Sequence, residues 1–67
     1  MPNLELLKEK ISDSGMTMVA IAERSDIDRT TLYNRLAGKG EFTATEIVGL
    51  ARTLRMTTKE RDQIFLA

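Results

Sequence analysis

Apolar residues recur every three or four positions along this chain, and polar punctuation interrupts them at short intervals. Leu4, Leu7 and Ile11 keep helical spacing behind Asn3, a residue suited to an N-cap, and Gly15 supplies the left-handed residue that ends such a helix. Thr17 then caps a short second helix with Met18, Ile21 and Ala22 on one face. Asp28 caps a third, carried inward by Leu32 and Leu36 and stopped at Gly38. Further on, Thr43 to Glu46 (TATE) and Thr57 to Glu60 (TTKE) both have the S/T-x-x-E form of a capping box. The first box leads into Ile47, Leu50, Ala51 and Leu54; the second leads into Ile64 with Phe65 or Leu66. Alternating strand patterns are absent, and only Ile47, Val48 and a few threonines favour strands. The pattern predicts an all-α fold of five short helices, with residues 1–67 forming a single domain and no linker or low-complexity stretch.

Composition removes several functions. A chain of 67 residues belongs to a size class that buries only about 60% of its unfolded surface, which leaves little room for a deep catalytic cavity or a small-molecule substrate. There is no Cys and no His, so disulfides, thiolate chemistry and the usual zinc ligand sets are excluded. No phosphate-cradling glycine loop or suitably placed carboxylate pair suggests catalysis, so neither catalytic residues nor a cofactor are expected. No apolar run approaches the roughly 20 residues that span a bilayer, and MPNLELLKEK has neither the basic start nor the apolar middle of a signal peptide. A soluble, cytoplasmic protein is the expectation.

Net charge is zero, but its distribution is uneven. Lys8 and Lys10 face Glu5, Glu9, Asp13 and Glu23 in residues 1–23, whereas Arg24, Arg29, Arg35 and Lys39 outnumber Asp26 and Asp28 in residues 24–39. The remaining charges cancel. An excess this small fits solvated faces as well as a polyanion partner.

The second and third helices carry more information. Ala22 is small enough for a neighbouring helix to cross closely, and the turn SDID buries Ile27 while redirecting the chain. Two short helices joined in this way have the form of a helix-turn-helix, and also of a plain helical hairpin. The longer stretch GMTMVAIAERSDIDRTTLYNRLAGKGEFTATEIVGLARTLRMT resembles the phage repressor and Cro-type helix-turn-helix family, which is XRE-like with a lambda-repressor-like fold. Gly15, Thr17, Ile21, Ala22, Ile27, Thr31, Leu32, Gly38, Lys39, Leu50, Ala51 and Leu54 fall on that family's pattern without a gap. The resemblance implies a phage or prophage regulator of transcription, acting as a homodimer on a double-stranded DNA operator.

There are also departures. Met18 stands where many members carry a Gln that contacts phosphate, so that contact is not carried over. Asp26 replaces the usual turn glycine, a substitution that left-handed-tolerant Asp survives at some cost. Arg55 replaces another frequent glycine and is expected to weaken the end of the fourth helix. Many members have an apolar residue at Arg35 and a polar one at Leu36, which implies a slight rotation of the third helix about its axis.

Helical geometry selects candidate contacts independently of the family. With Leu32 at zero and about 100° per residue, Leu36 lies near 40°, while Thr30 lies near 160° and Asn34 near 200°. Thr31 and Tyr33 flank this outward stripe. Its side chains donate and accept hydrogen bonds, as base edges in the major groove require, and the Arg29 fork in the first turn can reach a guanine or a phosphate. The family's base-reading positions, the start of a recognition helix at residues 28–37 and one residue a turn later, fall on Asp28, Arg29, Thr30 and Asn34. Asp28 is better explained as a cap, since a carboxylate repels phosphate. For Tyr33, core or dimer packing competes with DNA contact.

Phosphate contacts are expected to flank that helix, at Lys39, Arg35 and Thr43, and at Thr17, where the second helix's N-terminus favours an anion. Capping alone also accounts for both threonines. At the C-terminus Ile64, Phe65 and Leu66 are consecutive, so one helix face cannot bury all three; a homodimer contact anchored on Phe65 is expected, with terminal fraying as the alternative. Two functional classes remain: a sequence-specific DNA-binding regulator, and a protein-interaction module of antirepressor-like kind on the same fold.

Overall fold

The computed structural model describes residues 2–66. Those residues form five helices and no strand: α1 (Leu4–Ser14), α2 (Met18–Ser25), α3 (Arg29–Leu36), α4 (Ala44–Thr53) and α5 (Thr58–Phe65). Each helix starts at the cap its sequence supplies. Asn3 Oδ1 accepts the Leu6 N–H at 3.1 Å, Thr17 Oγ1 the Ala20 N–H at 3.1 Å and Asp28 Oδ2 the Thr31 N–H at 3.3 Å. Both capping boxes close reciprocally, Thr43 with Glu46 and Thr57 with Glu60. Such a cap contributes about 1 kcal/mol, which matters in helices of eight to eleven residues that are too short to hold in isolation.

Left-handed residues separate the helices. Gly15 takes φ 69° after α1, and Asp26 takes φ 56° after α2, where the Ile27 N–H returns to the Ala22 carbonyl at 3.0 Å. That return turns the chain sharply and drops Ile27 into the core. The fourth helix is ended without glycine, by Arg55. That residue adopts φ 53°, α4 ends at Thr53, and the Met56 N–H closes on the Ala51 carbonyl at 2.9 Å, so arginine terminates the helix in glycine's conformation.

The five largest fully buried side chains are Leu7, Ile21, Leu32, Leu50 and Ile64, one from each helix. Burying each contributes about 1.5–3 kcal/mol, so every helix is held chiefly by what it inserts at the centre. Around them α2 lies against α4 and α3, while α5 lies against α1 and α4. The α2–α4 crossing brings backbones into close approach. A Cβ on Gly49 would overlap the Ser25 carbonyl oxygen, and beside it the buried Ser25 hydroxyl donates to Thr53 Oγ1 at 2.9 Å.

On the opposite side the Asn3 N–H donates to the Ile64 carbonyl at 2.6 Å, which ties the start of α1 to the end of α5. Lys10 and Glu60 link the same two helices at 2.7 Å. The Lys10 hydrogen bond, helped by the Thr57 N–H, holds the Glu60 carboxyl below its ordinary value.

At the C-terminus the three consecutive apolar residues divide between core and surface. Ile64 and Phe65 both turn inward, and Phe65 meets the Phe42 ring edge-on at 5.2 Å and 74°. The Phe65 ring is thus packed in the chain's own core. Leu66, 76% exposed, is the apolar side chain that faces outward there. Among the described residues, no helix is long and apolar enough to cross a membrane.

Candidate nucleic-acid interface

The buried pair Leu32 and Leu36 fixes the rotation of α3, and everything opposite them faces solvent. Arg29, Thr30, Tyr33 and Asn34 are exposed, and Thr31 is half-buried on the flank. Among the described residues these five side chains make no intramolecular hydrogen bond or ion pair. Asp28 is exposed too, but its carboxylate accepts the Thr31 N–H and so serves the helix start. The result is a short helix with a hydrophobic seam on one side and uncommitted donors and acceptors on the other.

The flanking candidates fall into two groups. Thr17 and Thr43 are exposed at the N-termini of α2 and α4; their oxygens accept the caps' N–H bonds, and their hydroxyl hydrogens stay available to an anion. Lys39 is exposed in the loop that follows α3. Its backbone is fixed from both sides, since its N–H donates to the Asn34 carbonyl at 2.8 Å and its carbonyl accepts Arg35 Nη1 at 3.4 Å. Arg35 differs from these. Its guanidinium is tied to Glu46 at 3.3 Å, with only 21% of the Arg35 side chain and 16% of the Glu46 side chain exposed.

Two helices of eight residues thus join through the left-handed Asp26 and a buried Ile27, and the second presents a free polar face. A helix-turn-helix family model matches residues 2–60. The chain belongs to the XRE-type helix-turn-helix family. Helix-turn-helix domains of this type are non-catalytic DNA-binding modules with regulatory roles. No curated protein and no solved structure matches the chain.

Within this helix-turn-helix, sequence reasoning missed two contacts that shape the site. Glu46 was legible as a capping residue but not as the partner of Arg35, because the pair spans a loop whose path the sequence does not reveal. Gly49 carried a usable signal: glycine inside a helical pattern marks a close approach of backbones.

Proposed function

We propose that this helix-turn-helix chain is a sequence-specific DNA-binding regulator of transcription, of phage or prophage repressor or Cro type, whose residues 1–67 act as one unit. Residues 28–37 lie in the major groove of the operator. Arg29, Thr30 and Asn34 read base edges, with Thr31 and Tyr33 beside them. Lys39, Thr17 and Thr43 hold the backbone on either side and set the register of the reading helix. Two copies bind two-fold-related half-sites about one helical turn apart. The observation that carries this reading is the free polar face of α3, rigidly opposed to Leu32 and Leu36. A face that only met solvent would more often carry Glu and Lys.

A protein-interaction module on the same fold is the second reading, favoured by a net charge of zero. Selection of duplexes from a random pool separates the two. Recovery of a palindromic motif, bound with an affinity that falls steeply with salt, supports the regulator. A pool that stays random after several rounds rejects it.

A further inference from the structure

Arg35, in the last turn of α3, is engaged from several directions. Its Nε donates to Glu46 Oε1 at 3.3 Å and its Nη1 to the Lys39 carbonyl at 3.4 Å. The same Glu46 oxygen accepts the Thr43 N–H at 3.0 Å. One guanidinium therefore connects the last turn of α3, the loop after it and the first turn of α4. The loop is shaped around it: Gly40 takes φ 81°, and a Cβ there would come within 2.5 Å of Arg35 Nη1. A planar fork makes these links from separate nitrogens fixed in direction, whereas an ammonium offers all its donors at one point and does not reproduce that geometry. Both partners are largely covered, so salt screens this link less than it screens an exposed pair.

We propose that Arg35 is a positioning residue for the DNA backbone contacts, and not a phosphate ligand itself. It holds the segment from Lys39 to Thr43 at a fixed distance from α3, so that the Lys39 ammonium and the first turn of α4 meet the backbone while α3 sits in the groove. The proposal rests on the DNA-binding reading above. It adds that the ion pair between Arg35 and Glu46 acts as a spacer between base reading and backbone anchoring.

The test uses the full chain with its selected duplex and three variants: Arg35→Met, Arg35→Lys and Glu46→Gln. Arg35→Met keeps the apolar stem, and Glu46→Gln keeps an acceptor for the Thr43 N–H. Each variant should weaken binding to specific and unrelated duplexes alike, by about fivefold to tenfold, through loss of loop order. The slope of log K against log salt should not change, because no phosphate contact is removed. Arg35→Lys should not rescue, and Arg35→Met combined with Glu46→Gln should be no weaker than either of those single variants. In the free protein, NMR order parameters at Lys39 and Gly40 should fall in all three variants. A salt slope shallower by about one unit, with rescue by Lys, would make Arg35 a phosphate ligand and overturn the proposal. Unchanged loop order in the free variants overturns it as well. If the parent binds no duplex, the DNA-binding reading fails, and the loop measurement still judges the spacer.

Discussion

Gly49 of α4 lies against the carbonyl oxygen of Ser25 at the end of α2 at a separation that no side chain allows. Because Ser25 immediately precedes the turn into α3, this contact sets how α3 is mounted on α4. Alanine is normally the better helix residue by about 1 kcal/mol. Here the obstructing atom is backbone and cannot swing aside, so Gly49→Ala should be net destabilising by about 1–3 kcal/mol. Thermal unfolding checks this, and a variant more stable than the parent would mean the helices separate freely.

Base reading by α3 predicts that Asn34→Ala and Thr30→Ala leave the unfolding midpoint nearly unchanged, because both side chains are exposed and uncommitted. Each should instead narrow the gap between the preferred duplex and its single-base variants by about 1–3 kcal/mol. Binding titrations over a panel of substituted duplexes measure it. If both variants rank the panel as the parent does, α3 is not the reader.

Lys39→Ala should behave differently, weakening binding to every sequence by the same factor and making the salt slope shallower by about one unit. Its backbone is fixed by the Asn34 and Arg35 bonds, so the loop keeps its path without the ammonium. An unchanged slope places Lys39 away from the DNA backbone.

For assembly, the inward turn of Phe65 separates two effects. Phe65→Ala should cost about 3–5 kcal/mol of stability, since it empties the space against Phe42. Leu66→Asp should leave stability within about 0.5 kcal/mol, as expected of an exposed position. If two copies meet at the end of α5, sedimentation should show Leu66→Asp to be monomeric where the parent pairs, with DNA absent and then present. Equal pairing by both removes this end of α5 from the interface.

Glu60 predicts a pH dependence. Its folded-state value lies below the ordinary 4.5, so its contribution is fully present above that value and is lost as pH falls through the lower folded value. Acid unfolding should therefore steepen below about pH 4.5, and Lys10→Met should flatten that limb while leaving the curve near neutrality parallel to the parent's. Identical acid limbs for parent and variant would show the ion pair to be inert.

Most of the architecture was legible because it is local. Asn3, Thr17, Asp28, Thr43 and Thr57 cap the helices they precede, and the apolar residues spaced at three and four turn inward as their period requires. The outward face of α3 followed from the placement of Leu32 and Leu36 alone. What sequence could not reveal depends on partners distant along the chain. Arg35 finds Glu46 across a loop, and Phe65 is drawn inward by Phe42 more than twenty residues earlier. Arg55 takes a conformation that residue propensity alone assigns to glycine, because the Met56 bond back to Ala51 holds it there.

The bond from the Asn3 amide to the Ile64 carbonyl sets the start of α1 directly beside the end of α5. A linker of a few residues joining the two sides of that seam would leave the core untouched, and the backbone could then be opened at another exposed loop. The order of the helices along the chain is thus separable from their arrangement in space. α3, midway along the sequence, lies far from the seam in chain order, so circular permutants and tandem fusions built there would keep α3 within a continuous stretch of native neighbours.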